Sequence, residues 1–347
     1  MLSETELSEI REHLERSQNP LFYFDNDVDG LCSFIIFQKS IGRGKGVAIK
    51  SFPELNKNDL RKVDELKPDY VFILDKPRVS NDFLQAILEK NIPIVWIDHH
   101  IIDKEFQPNE EMLKQINYFN SAPSCEPTTY LAYKTFRKKD LQWLSLIGCI
   151  GDNFLPDFAE EFAEKNSEIF QLCDDAFDCM YKTEIGKVAT MLNFGLKDTT
   201  TNVLKMIYLL SSASGPQDIL EENAKTKQLH KKYSELSKFM EKILKKANTI
   251  KNIILLEYSG QTSMSSELSN KLIFENKNKI VLVIFKKSDV ANVSIRGKYA
   301  KRILLQAIKE IGGAIGGGHD EASGARIPID KLEEFKKNIF DAINSNK

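Results

Sequence analysis

Residues 21–30, Leu-Phe-Tyr-Phe-Asp-Asn-Asp-Val-Asp-Gly, join an apolar run to three carboxylates at alternate positions, Asp25, Asp27 and Asp29, and close on Gly30. Four apolar and aromatic residues in succession predict a short strand buried on both faces. Extended backbone sends alternate side chains the same way, so the carboxylates leave the strand on one side, and glycine lets the chain turn tightly into the next element. Like charges packed this closely repel each other unless cations neutralise them. An acidic helix-capping turn accounts for the same residues without a metal. A calcium EF-hand does not, because its spacing and terminal Glu are missing.

Working outward, residues 21–100 repeat the theme. Short β-rich runs (LFYF, VAIKSF, YVFILD, IVWID) alternate with helical stretches such as LCSFIIFQKSI and NDFLQAILEK. That alternation predicts an α/β unit, a parallel sheet with helices on both faces. Three of the four strands end in acid, at Asp25, Asp75 and Asp98. Ligands of open α/β sheets bind at the carboxyl ends of strands, so these carboxylates are expected to converge on one edge. His99 and His100 follow Asp98 directly, two of the five histidines in the chain. Neutral imidazole is a metal ligand, and an adjacent Asp can orient the ring. Asp152 follows the apolar helix LSLIGCIG. Each segment alone has an ordinary structural explanation, as a cap, an element end or a surface His pair. Their combination is far more specific.

The 347 residues exceed one typical domain, so at least two compact units are expected, with a cleft between them. Residues 1–154 form the first, residues 155–249 read as a helical insert and connector, and residues 250–347 as a smaller α/β unit. In the last, NIILLEYS, KIVLVIF, ANVSIR and ARIPI read as strands, KRILLQAIKEI and KLEEFKKNIFDAI as helices, and Gly316-Gly317-Gly318 as a turn. Consecutive glycines allow positive φ and close backbone approach, so their N–H groups can form an anion-binding concavity. Arg296 beside it offers a forked donor for phosphate, with His319 adjacent.

Composition is that of a soluble protein, 42% hydrophobic and 28% charged, with a formal net charge of −2. No apolar run is long enough to span a bilayer. The start, MLSETELSEIREHLERS, lacks the features of a signal peptide, which predicts a cytoplasmic protein. The five cysteines show no CxxC spacing, which argues against a disulfide framework or zinc site and predicts buried thiols. Lys251–Lys347 carries 16 basic against 11 acidic residues, leaving 32 against 39 elsewhere. An acidic front suits a metal site and a basic rear a phosphate clamp, although a random surface imbalance gives the same counts.

Together DNDVDG, the strand-terminal Asp75, IDHH and Gly151-Asp152 resemble, in order, the four motifs of the DHH phosphoesterases, a superfamily that includes RecJ-type exonucleases, oligoribonucleases and family II pyrophosphatases. Ser294-Ile295-Arg296 and GGGHDEASG at 316–324 resemble the signatures of the DHH-associated domain. The resemblance implies two divalent ions, Mn²⁺ with Mg²⁺ as competitor, held by Asp25, Asp27, Asp29, Asp75, His99 and Asp152, with Asp75 bridging. It implies support from Asp98 and His100, and substrate contacts from Ser294, Arg296, Gly316, Gly317, Gly318 and His319.

By the same resemblance the chain is expected to be a compact RecJ-like exonuclease acting on single-stranded DNA or RNA. Two other readings stand beside it: an oligoribonuclease or dinucleotide phosphodiesterase, and a non-catalytic replication scaffold. The helical insert is a candidate for helicase, repair-partner or homo-oligomer contacts. Tyr23 occupies the position of a pyrophosphatase His, and no Ser-Arg-Lys-Lys run occurs, which argues against inorganic pyrophosphate. Lys76 and Arg78, after Asp75, read either as phosphate contacts or as surface residues.

Overall fold

The computed structural model describes residues 1–50, 54–102 and 108–345. The end of the expected VAIKSF strand, Ser51 and Phe52, lies outside the described residues. The chain divides into two units, Met1–Tyr233 and Ser234–Lys347. No described helix is long and apolar enough to cross a membrane.

The first unit begins with α1 (Glu4–Arg16), β1 (Pro20–Asp25), α2 (Val28–Ile41), β2 (Lys45–Ile49), α3 (Arg61–Leu66), β3 (Tyr70–Leu74) and α4 (Asn81–Leu88). It continues through β4 (Ile94–Asp98), α5 (Glu110–Leu113), β5 (Asn117–Asn120), α6 (Thr128–Phe136) and α7 (Gln142–Gly151). The strands form one parallel sheet in the order β2-β1-β3-β4-β5. The chain crosses from β2 on one side of β1 to β3 on the other, so the topological switch lies between β1 and β3, where this class of sheet binds ligands. Asp25 and Asp75 lie at the ends of those two strands.

Strand alternation sorts the core. Phe22, Phe24, Phe72, Leu74, Val95 and Ile97 face one cluster. Leu21, Tyr23, Val71, Ile73, Ile94 and Trp96 face the other. Both faces are thus buried, as the unbroken apolar strand sequences require, and each such side chain contributes roughly 1.5–3 kcal/mol.

Six more helices follow: α8 (Ala159–Lys165), α9 (Ala176–Lys182), α10 (Glu184–Gly195), α11 (Thr200–Ser212), α12 (Gln217–Leu220) and α13 (Lys227–Leu244). The helical content expected for this stretch is present. Phe162, Cys179, Ile185, Val203, Ile219 and Leu229 enter the same core cluster as the sheet residues Phe22 and Leu74, so most of the stretch is part of the first unit's core. The division between the units falls within α13.

The second unit contains β6 (Asn248–Ile250), β7 (Ile253–Ser259), α14 (Ser265–Glu275), β8 (Ile280–Lys286), β9 (Val290–Arg296), α15 (Ala300–Ile308), β10 (Ile315–His319), β11 (Ala322–Pro328) and α16 (Leu332–Ser345). Its mixed six-stranded sheet has the order β10-β11-β9-β8-β7-β6. Leu282, Ile284, Val293 and Ile295 pack with Ile303, Leu304, Phe335 and Ile339 of α15 and α16.

The glycine cluster departs from its expected form. Gly316 and Gly317 are strand residues of β10, paired with Ala325 and Gly324 of β11. Of the three, only Gly318 has positive φ, 134°. Cross-strand pairing overrides the weak strand propensity of glycine here, so the segment is an edge strand and not a turn-like concavity. The thiols also divide: Cys32, Cys149 and Cys179 are buried as expected, whereas Cys125 and Cys173 are partly exposed.

Candidate metal centre

Asp27 is the N-cap of α2, its carboxylate accepting from Gly30 N at 2.9 Å. Gly30 is required for space: a Cβ there would lie 2.5 Å from the Asp25 carbonyl oxygen. The helix therefore starts hard against the end of β1. Asp29, in the first turn, is 2% exposed and accepts from Thr128 N and Thr129 N at 2.8 Å each, one bond per carboxylate oxygen. Its charge lies on the positive N-terminus of α6. Thr129 Oγ1 donates to Asp29 O at 2.7 Å.

Asp75 follows β3 with φ at 56°, a left-handed conformation that Asp tolerates better than most residues. Its N–H donates to Ile97 O at 2.9 Å, tying it to β4. His99 begins the turn after β4. Its Nε2 lies 3.2 Å from Asp75 Oδ1, 3.6 Å from Asp152 Oδ2 and 3.9 Å from Asp29 Oδ2. Asp152 is the C-cap of α7. Gly151 before it sits where a Cβ would come within 3.2 Å of Val28, so α7 ends close against the start of α2.

Asp98 is fully buried and serves His100 through both oxygens, accepting from its backbone N at 3.3 Å and lying 2.9 Å from its Nδ1. Burial opposes the imidazolium, but Asp98, Asp152 and Asp27 outweigh it and lift His100 to about 9. At Asp75, Asp27 and Asp152 it is the neutral form that gains. Burial, then the neighbouring charges of Asp29, Asp27, Asp25 and Asp152, push Asp75 well up. Burial and Asp29 raise Asp27. Burial lifts Asp152 to about 7, although His99 pulls against it.

Asp75 Oδ1 and His99 Nε2 are both buried without a hydrogen-bond partner, despite being 3.2 Å apart. His99 Nδ1 is 3.4 Å from Cys125 O. The tautomer that donates there leaves a lone pair on Nε2, aimed among carboxylates. Two unpartnered acceptors converging in a buried acidic cluster are an arrangement that a bound cation satisfies. With His100 they form a group whose donor atoms all lie within 4.8 Å of one another, so these residues fit a divalent ion.

The eight front residues named from sequence are therefore brought to one sheet edge. Sequence reasoning missed the backbone N–H groups of Thr128 and Thr129; the Pro127-Thr128 start of α6 is a signal for a helix N-terminus but names no partner. Of the two alternatives for Lys76, phosphate contact or surface residue, the second does not hold. Its side chain is 1% exposed and lies 3.3 Å from Asp25 Oδ1.

In the second unit, Ser294 pairs with Gly324 across the β9–β11 ladder. Arg296 is anchored: Nε donates to Asn270 Oδ1 of α14 at 2.7 Å, and another nitrogen to Ile295 O at 2.9 Å and Ser323 O at 3.3 Å. Asn270, which holds it, carried no sequence signal. His319 ends β10, and its carbonyl accepts from Ser323 Oγ at 2.8 Å.

Comparison with known proteins agrees with this division. The model of the DHH family, N-terminal domain, matches residues 21–149, and that of the DHHA1 domain matches residues 249–345. A crystal structure of exonuclease RecJ bound to manganese matches with a TM-score of 0.61 at 15% identity, over 96% of this chain and 92% of that one. RecJ of Thermus thermophilus in complex with Mn²⁺ matches with a TM-score of 0.66 at 15% identity, over 98% of this chain and 54% of that one. The pGpG-specific phosphodiesterase PggH of Vibrio cholerae matches with a TM-score of 0.51 at 13% identity, over 95% of this chain and all of that one, 100%. At these identities the likeness is one of fold. No curated protein matches the sequence.

Proposed function

The chain belongs to the DHH phosphoesterase superfamily, with a DHH N-terminal domain and a DHHA1 domain, and from that premise we propose that it is a metal-dependent exonuclease that hydrolyses single-stranded DNA or RNA and releases mononucleotides. The observation that carries hydrolysis is the pair of partnerless acceptors, Asp75 Oδ1 and His99 Nε2, within the crowded carboxylates. A nucleic-acid substrate is supported by the RecJ-like fold across nearly the whole chain and by the basic bias of residues 251–347.

In this reading Asp27, Asp29, Asp75, His99 and Asp152 would hold the divalent ions, two in number and Mn²⁺ before Mg²⁺. When bound, the ions supply an activated water and neutralise charge on the leaving oxygen. Asp98 orients His100 through Nδ1, 2.9 Å away, which leaves the ring's other nitrogen to face a phosphate oxygen. Asp29, fixed on the first turn of α6, keeps its geometry whether or not substrate is present. Ser294, Arg296, Gly316, Gly317, Gly318 and His319 contact the nucleotide, the glycine strand allowing close approach because it has no side chains. The helices of residues 155–249 serve helicase, repair-partner or homo-oligomer contacts.

The test is purified protein with Mn²⁺, Mg²⁺ or EDTA on 5′- and 3′-labelled DNA and RNA of graded length. Laddering to mononucleotides with Mn²⁺ and none with EDTA is expected, and Asp75→Ala is expected to abolish it. An Asp75→Ala protein with full metal-dependent cleavage would refute the mechanism. The likeness to a pGpG-specific phosphodiesterase favours a second reading, hydrolysis of dinucleotides. Turnover that rises as the substrate shortens to two nucleotides would select it over the exonuclease.

A further inference from the structure

Lys76 is among the largest fully buried side chains of the protein, and its ammonium faces the Asp25 carboxylate. Its Nζ lies 3.3 Å from Asp25 Oδ1, whose side chain is 7% exposed, and 2.5 Å from Lys50 O. Its carbonyl accepts from Trp96 Nε1 of β4 at 2.9 Å. Backbone and side chain are thus both pinned. Phe24 and Leu74 are register partners on β1 and β3, so Asp25 and Asp75 are the next residues along neighbouring strands. The charge of Asp25 also acts on Asp75. The Asp25–Lys76 pair therefore belongs to the same buried electrostatic cluster as the metal centre. A buried ammonium is very costly without a counter-charge, and so is a buried carboxylate, so the pairing favours both.

We propose that Lys76 is a resident cation of the metal centre: its ammonium takes the Asp25 carboxylate as an ion pair, so Asp25 serves as a counter-ion and not as a metal ligand. This rests on the metal-centre reading above and revises one member of the ligand set that the sequence implies. The pair is neutral overall, so neither charge acts alone on the neighbouring carboxylates.

The experiment is calorimetric titration of full-length, metal-free protein with Mn²⁺, alongside direct measurement of bound metal, for the wild type, Lys76→Met, Asp25→Asn and the Lys76→Met/Asp25→Asn double variant. Lys76→Met, which removes the cation facing the Asp25 carboxylate, is expected to tighten Mn²⁺ binding about tenfold or more. Asp25→Asn, which removes the carboxylate facing the ammonium, is expected to weaken Mn²⁺ binding by a similar factor. The double variant removes both charges, keeps the buried site neutral so that it folds even where Lys76→Met does not, and is expected within about threefold of the wild type. If Asp25 is instead a ligand, Asp25→Asn and the double variant fall together well below the wild type, and the proposal is overturned. A wild type that binds no Mn²⁺ would remove the metal-centre reading itself, and this inference with it.

Discussion

A Cβ on residue 30 would sit 2.5 Å from the carbonyl oxygen and 2.8 Å from the nitrogen of Asp25, so the first turn of α2 and the last residue of β1 are in contact through a glycine. Backbone cannot yield as a flexible side chain does. Gly30→Ala is expected to destabilise the first unit by about 1–3 kcal/mol and to displace Asp27 and Asp29. Urea denaturation in EDTA checks the first effect and Mn²⁺ titration the second. A variant with wild-type stability and affinity would show that the contact relaxes without cost.

Asp29 gives each carboxylate oxygen to one N–H of α6. Hydrogen bonds to a charged group contribute about 1.5–3 kcal/mol, so Asp29→Ala is expected to cost at least that much in metal-free protein. Asp29→Asn keeps one acceptor and is expected to fall between Ala and wild type. Thermal denaturation in EDTA separates this structural role from metal binding, because no ion contributes to either measurement.

The pH dependence has a definite sign. Asp152 rises from its ordinary 3.8 to about 7 in the fold, so the native state holds a proton that the unfolded chain has already lost. Its contribution to the stability of metal-free protein is least unfavourable below 3.8 and worsens as pH rises from there through about 7. Asp152→Asn is therefore expected to gain on wild type across that window, and Mn²⁺ binding to wild type is expected to release protons within it. His100 is a base raised from 6.5 to about 9, and its contribution is full below 6.5 and is lost as pH passes 9. Denaturation midpoints against pH for wild type and Asp152→Asn, with and without Mn²⁺, test both; parallel curves in EDTA would contradict the assignment to Asp152.

The glycine strand separates space from conformation. A Cβ on Gly317 meets nothing within 4 Å, whereas on Gly318, at φ 134°, it would lie 2.6 Å from Ala322 O. Gly318→Ala is expected to lower the stability of the second unit by more than about 1 kcal/mol. Gly317→Ala is expected to leave stability within about 0.5 kcal/mol while weakening single-strand binding, read by fluorescence anisotropy. Unchanged binding by Gly317→Ala would withdraw that strand from the substrate contacts.

How much of this was legible follows from where each signal resides. Asp25, Asp75 and Asp98 could be read because a parallel sheet places consecutive strand ends on one edge, so local pattern implies a long-range juxtaposition. The β5 segment Asn117–Asn120 gave no such signal, being four residues with one buried apolar side chain. β10 is a strand only because β11 pairs with it. The burial of Lys76 was not legible because its state is decided by Asp25, 51 positions away, and a lysine after a strand looks the same whether it points to water or to a buried carboxylate. The anchoring of Arg296 by Asn270 was hidden for the same reason.

The grip of α6 on Asp29 also bears on how the protein is made. Asp29 sits at position 29, the backbone that fixes it at 128 and 129, and Asp152 lies beyond both, facing His99. A nascent chain that has released only the DNDVDG turn therefore exposes its carboxylates before the N–H groups of α6 exist to hold Asp29. A truncation ending before residue 128 would leave Asp29 without those two donors, and one ending before Asp152 would leave His99 without that carboxylate.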